Sequence, residues 1–178
     1  MLIYKRYFRN DAVKERFEQS KTITASCIPA LESVLGGQFI HTEQFYEHAF
    51  CVTLDCCYGI DLLWVHNRRI DPIGVRTATE DEQYFSVSCN NYNGKSAEYD
   101  ELKKSKISPA YICKLVVIDN KPYRAYIVRI DYLLDYIDNC GAKPIPSKTD
   151  PHDYYRIPMA DLPKNAIKVC DLSDEYIV

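Results

Sequence analysis

Four short apolar runs follow one another between residues 49 and 89, each cut off by polar or turn-forming residues. Runs of this length, rich in branched and aromatic side chains, read as strands. The expected strands are 49–55, 60–65, 70–77 and 84–89. Cys56-Cys57-Tyr58-Gly59 makes the first turn and His66-Asn67-Arg68-Arg69 a polar hairpin turn with an exposed histidine. The second run, Ile60-Asp61-Leu62-Leu63-Trp64-Val65, is apolar throughout except for one carboxylate. Asn90 to Lys95 is dense in turn formers and marks a loop.

Helical patterns flank these strands. Residues 10–35 carry a cap at Asn10 or Asp11 and an apolar face of Val13, Phe17, Leu31, Val34 and Leu35, with Pro29 interrupting or restarting the helix. Gly36-Gly37 ends it, and 38–42 reads as a short strand. Residues 96–104 suit one or two helical turns, with Tyr99 and Leu102 facing inward. Two β-rich runs, 110–119 and 124–130, surround a hairpin turn at Asn120-Lys121-Pro122. The stretch 131–137 has helical spacing and an acidic start that suits the helix dipole. Five prolines between 141 and 163 predict an irregular segment wrapped over the core, and 167–170 adds an edge strand. The expected fold class is α/β, a central mixed β-sheet flanked by helices. The 178 residues form a single domain with its core at about 10–137 and a Pro-rich wrap at about 141–178.

Composition narrows the function. With 47% hydrophobic and 26% charged residues the chain is an ordinary globular one, and a net charge of −3 argues against non-specific binding of polyanions. No apolar run approaches the ~20 residues of a membrane helix, and residues 1–19 lack a signal-peptide core. The expectation is a cytoplasmic protein with no membrane partner. Eight cysteines in a reducing compartment read as buried thiols. A zinc cluster can be drawn from His48, Cys51, Cys56 and Cys57, but its spacing matches no standard pattern.

Gly59-Ile60-Asp61-Leu62-Leu63, followed by Ile73-Gly74-Val75-Arg76-Thr77, resembles the motif of the PD-(D/E)XK, or restriction-endonuclease-like, superfamily. Tyr84 to Ser88 and Gly94 to Tyr99 resemble a pattern of small nuclease-like proteins of phages and mobile elements. The resemblance covers about residues 10–137 and implies a restriction-endonuclease-like core. It further implies a Mg²⁺-dependent endonuclease acting on DNA, because phosphodiester cleavage calls for a divalent ion held by hard oxygen ligands. In that family a Gly-(Ile/Val)-Asp strand supplies a metal-binding carboxylate, here Asp61. A second strand about a dozen residues on supplies Glu/Asp-x-Lys. In this chain Gly74 stands where the acid belongs and Arg76 where the lysine belongs.

A glycine offers no ligand, and arginine stays protonated and cannot act as a base. The resemblance therefore assigns catalytic roles to Asp61 and Arg76, and sends the search for further acids elsewhere. Asp55, on the preceding strand, is the second metal candidate. Glu32 is the preferred acid from the first helix, where the family often places one. Glu43, Glu47, Glu18 and the Thr79-Glu80-Asp81-Glu82 cluster are the remaining sources.

Other readings stand beside this one. Asp61 and Arg76 can form a structural ion pair between neighbouring strands. Glu80 to Glu82 reads as a solvated loop, and Lys103, Lys104 and Lys106 as solvated surface or a phosphate-contact patch. The four histidines have no cysteine or serine partner at the spacing of a nucleophilic triad. Three functions follow: a metal-dependent nuclease, an inactive module of the same fold gripping nucleic acid or a host or phage protein, and an interaction protein using its 15 tyrosines. The sequence specifies no oligomeric state.

Overall fold

Strands apolar on both faces need a cover on each side, and the chain supplies two different covers. A computed structural model describes residues 11–45, 48–91, 97–147 and 152–173. In chain order they form helix α1 (Asp11–Leu35), strand β1 (Gln38–His41), a 3₁₀ turn (Thr42–Phe45) and helix α2 (Ala49–Tyr58). Strands β2 (Leu62–His66), β3 (Arg69–Ala78) and β4 (Tyr84–Asn91) follow, then helix α3 (Glu98–Lys104). The rest comprises β5 (Tyr111–Ile118), β6 (Lys121–Arg129), α4 (Ile130–Asn139), β7 (Pro144–Pro146), β8 (His152–Pro158) and β9 (Ile167–Asp171).

The central sheet has six strands in the order β1-β2-β3-β5-β6-β9. It is mixed: β3 and β5 run parallel, and the other neighbours antiparallel. The fold is therefore α/β around a mixed sheet, as expected. Alternation along each strand decides which cover a side chain meets. Leu62, Trp64, Ile73, Cys113, Leu115 and Ile127 pack with Cys27, Ala30 and Leu31 of α1. Ile112, Val116 and Val128 face the other way, onto α4 and onto Phe85, Val87 and Ile157. The sheet curls strongly, because Lys168 of β9 lies 5.0 Å over the Trp64 ring although three strands separate β9 from β2.

Both hairpins form, through paired left-handed residues: Asn67 and Arg68 in one, Asp119 and Asn120 in the other. The second turn thus falls one residue earlier than Asn120-Lys121-Pro122, and β6 begins at Lys121. His66 is not exposed. It stacks on Trp64 with centroids 3.7 Å apart and pairs with Asp71 at 2.7 Å.

Three expectations are corrected. Residues 49–55 are not a strand but most of helix α2. A short run that is apolar all round fits either element, and here Gly59 decides, closing the helix in a left-handed conformation with its N–H donated to the carbonyls of Leu54 and Asp55. Pro29 does not interrupt α1, which runs unbroken to Leu35. The ring removes one backbone bond, and burial of Cys27, Ala30 and Leu31 on the sheet outweighs that loss. The Pro-rich segment is not wholly irregular: β7 and β8 join β4 in a second sheet, order β4-β8-β7. Pro144, Pro146 and Pro158 occupy strand ends, where a missing N–H costs little.

Of the thiols, Cys27, Cys113 and Cys170 are buried, Cys51 and Cys89 half-buried and Cys140 exposed. Burial pushes the Cys27 thiol up to about 12. The side chains of Cys56 and Cys57, and with them the zinc cluster, lie outside the described residues.

Helix α2 meets β3 where neither carries a side chain. A Cβ on Gly74 would lie 2.8 Å from the Gly59 carbonyl oxygen, 3.2 Å from Pro109 and 3.3 Å from Ile112. Gly74→Ala should therefore destabilise the chain by about 1–3 kcal/mol, the usual cost of overpacking. The readout is a lower urea midpoint with an unchanged slope; an unchanged midpoint would show that the contact yields freely.

Candidate functional site

Asp61 sits one residue ahead of β2, and backbone groups hold it on two sides. Its N–H donates to the Ile73 carbonyl at 2.9 Å. Its own carbonyl accepts from the Thr42 N–H at 3.0 Å and from the Thr42 hydroxyl at 2.9 Å. The carboxylate is turned toward β3, where Oδ2 accepts the Val75 N–H at 2.6 Å. Ile60 N–H donates to Leu54 at 3.0 Å and so ties the end of α2 to the start of β2.

This tie brings Asp55, on the last turns of α2, beside Asp61. The 3₁₀ turn that follows β1 delivers Glu43 to the same point. One carboxylate oxygen from each of Glu43, Asp55 and Asp61 lies within 4.8 Å of the others, a group able to hold a metal ion. Glu43 is only 5% exposed. Its Oε2 is 3.3 Å from Nε2 of the fully buried His41, yet neither atom makes a hydrogen bond among the described residues. A buried carboxylate oxygen without a donor is costly, and a bound cation would satisfy it.

The electrostatics point the same way. Burial pushes the Asp55 carboxyl up to about 8, with the charges of Asp61 and Glu43 adding and Arg76 opposing. Burial also raises Asp61, to about 6, against the pull of Arg76 and the Val75 N–H. Three acids crowd one place and a single guanidinium answers them in part. Arg76 on β3 has Nη1 at 3.9 Å from Asp61 and Nη2 at 2.8 Å from Glu98. Burial alone would lower Arg76, but Glu98 and Asp61 outweigh it and hold the guanidinium above its ordinary value. Glu98 opens α3 and is itself held by the Ser88 N–H at 3.3 Å, while its own N–H donates to the Ser88 hydroxyl at 3.1 Å.

Arg76 divides two cavities. One of about 600 Å³ reaches from Tyr58 and Gly59 across Asp100 and Glu101 to Ile107. The other, about 340 Å³, opens toward Tyr84, Lys114, His152 and Tyr154. Arg76, Ser88 and Glu98 line both.

Asp61, Asp55 and Arg76, all singled out from the sequence, thus meet in space. Glu32 does not join them: its Oε1 accepts the Phe39 N–H at 2.8 Å and fastens the end of α1 to β1. Glu18 lies on the exposed side of α1, and Glu47 is outside the described residues. Asp81 is no solvated loop residue, since it accepts from Arg124 at 2.8 Å and from the Tyr126 hydroxyl at 2.7 Å. Lys103 and Lys104 are exposed and paired, with Asp138 and Asp100 respectively. The ion pair foreseen between Asp61 and Arg76 exists, as the longer of the two ion pairs that Arg76 makes among the described residues. Thr42, His41 and Glu98 were missed. The available signal for the first two was a polar triplet, His41-Thr42-Glu43, standing between strand and helix without a turn former.

Set beside family models, curated proteins and solved structures, the chain matches none. Among the described residues, no helix is long and apolar enough to cross a membrane.

The raised acids set the pH response. Both folded values exceed the ordinary 3.8, so between about pH 4 and pH 8 the folded chain keeps protons that the unfolded chain has lost. The stability they contribute is full below that window and falls as pH rises through it. The metal-free chain should lose stability from pH 4 to 8, and Asp55→Asn should flatten the loss and be more stable than the parent at pH 8. A divalent ion at 100 times its dissociation constant should restore about 2.7 kcal/mol, about 5–10 °C in Tm for a chain this long. Thermal scans across pH, with and without Mg²⁺ or Mn²⁺, read both effects; a Tm indifferent to metal at pH 8 would speak against a cation site.

Proposed function

We propose that this chain is a divalent-metal-dependent phosphodiesterase of nuclease type, acting on nucleic acid and built on a restriction-endonuclease-like core. The observation that carries the proposal is the buried oxygen of Glu43, which makes no hydrogen bond among the described residues, in a group of three carboxylates. The position of that group supports the resemblance in the sequence. Asp61 heads β2, the adjoining strand β3 supplies a cation at Arg76, and β3 pairs on its other side with a parallel neighbour, β5.

The missing acid at Gly74 has a physical explanation: the Gly59 carbonyl occupies the space a side chain would need. Glu43 and Asp55 take its place, arriving from the 3₁₀ turn and from α2. Hard carboxylate oxygens suit Mg²⁺ or Mn²⁺. A bound ion of this kind supplies Lewis acidity at a phosphoryl oxygen and an activated water. Val75 fixes the orientation of Asp61 through its N–H. Arg76 offers a planar fork to a phosphate and remains charged throughout, so it stabilises developing negative charge and takes no proton. Glu98 holds that fork in place.

A second reading, a module that keeps the fold without cleavage and grips nucleic acid or a host or phage protein, is favoured by one feature. Arg76 already places positive charge 3.9 Å from Asp61, which weakens the demand for a cation. Cleavage assays on plasmid and on single-stranded DNA with Mg²⁺ or Mn²⁺ separate the two. The nuclease reading expects cutting that stops without metal and falls at least about 100-fold in Asp61→Asn; Arg76→Ala should cost about 10²–10³-fold, the usual scale for one charge-stabilising donor. A folded parent that cuts neither substrate would leave the binding module in possession.

A further inference from the structure

Strand alternation sorts the residues of β4 and β8 into two sets. Phe85, Val87 and Ile157 enter the core. Tyr84, Ser86 and Ser88, with Tyr154 and Arg156 paired across from Ser88 and Ser86, point to the opposite face. That face carries two aromatic side chains and a cation, and the smaller cavity opens along it, bounded on the far side by Arg76, Thr77 and Lys114.

Resting on the reading above, we infer that the nucleic acid is single-stranded. Its path leaves the acidic cluster past Arg76 and enters this cavity, where an unpaired base stacks on the Tyr154 ring of β8, the Tyr84 ring being already covered by Lys114 and Arg156. Four observations carry the inference. The enclosure of about 340 Å³ sits at the small end of ligand clefts, room for one ring system and not for a duplex. Tyr84, His152 and Tyr154 are half-buried walls, and the rings of His152 and Tyr154 stand at 66° with centroids 6.1 Å apart. Aromatic side chains accept any base because every base has a π face.

Charge selects this cavity over the larger one. Arg156 is exposed, lies 4.9 Å over the Tyr84 ring and joins no salt bridge among the described residues, leaving its charge for a phosphate. The larger cavity sets Arg76 and Lys104 against Glu98, Asp100 and Glu101, an excess of negative charge, whereas the smaller sets Arg76 and Lys114 against Glu82 and Glu98. Finally, the rim is preset. Lys114, 6% exposed, donates to the carbonyls of Glu82 at 2.6 Å and Tyr84 at 3.0 Å, so the Tyr84 backbone is fixed before any ligand arrives.

The test is fluorescence anisotropy of the full chain with labelled oligo-dT and with a duplex of equal length, in Ca²⁺ to hold back cutting. Oligo-dT should bind at least tenfold more tightly than duplex. Tyr154→Ala should weaken it about tenfold, the scale of one lost stacking contact, while Tyr154→Phe, which keeps the ring, should stay within twofold of the parent. Arg156→Ala should reduce the salt dependence by about one ionic contact. Equal or tighter binding of duplex, or Tyr154→Ala indistinguishable from the parent, would overturn the inference, as would binding of neither DNA form. Mg²⁺ affinity measured by calorimetry on the same proteins keeps the two claims apart. It should be unchanged in Tyr154→Ala, and a parent that binds no Mg²⁺ counts against the metal site whatever the oligonucleotides do.

Discussion

At Gly59 and Gly74 a helix end and a strand approach so closely that a single methyl group would collide with a carbonyl. The candidate site depends on that contact. It seats the last turn of α2 against β3, and the backbone bond from Ile60 to Leu54 then carries the chain directly into β2. Asp55 and Asp61, six positions apart in sequence, are thereby turned to one point although one rides on a helix and the other leads a strand. Thr42 closes the same corner from β1 and brings Glu43 with it. The dearth of side chains at the crossing is thus the condition for the crowding of carboxylates beside it.

Crowding has an electrostatic consequence. Burial and crowding disfavour the ionisation of Asp55 and Asp61, and Asp55 responds the more strongly, its carboxyl pushed up to about 8. Arg76 relieves part of this strain, but Glu98 draws the guanidinium toward the cavity side. The result is a corner short of positive charge beside a cation that Glu98 holds at the wall of both cavities. Such a division suits a ligand that brings a metal ion to one side and a phosphate to the other.

The second sheet gives the corner its surroundings. Had 141–163 stayed a loose wrap, β4 would present two open edges. Its pairing with β8 instead builds a firm wall, whose inner residues complete the core and whose outer residues face Arg76 across the smaller cavity. Core and cleft are two sides of one strand pair, so the packing of Phe85 and Ile157 also sets the place of Tyr84 and Tyr154.

By itself the sequence determined the elements whose signals are local. The polar turn at 66–69 between two apolar runs, the β-rich runs that became β5 and β6, the glycine stop after α1 and the edge strand β9 follow from period and turn chemistry alone, and so does the isolation of Asp61 in an apolar run. It did not determine α2, because an apolar stretch of ten residues satisfies a helix or a strand equally. Nor did it determine β8, because prolines at strand ends look from outside like a broken loop. Tertiary structure alone decided which acids meet Asp61. Spacing along the chain says nothing about Glu43 and Asp55, which converge through a glycine crossing and a threonine clamp. The same holds for Glu32, whose place on α1 spends its carboxylate on the Phe39 amide instead. Long-range contacts of this kind are set by which surfaces fit, and fit is a property of the folded sheet rather than of any local pattern.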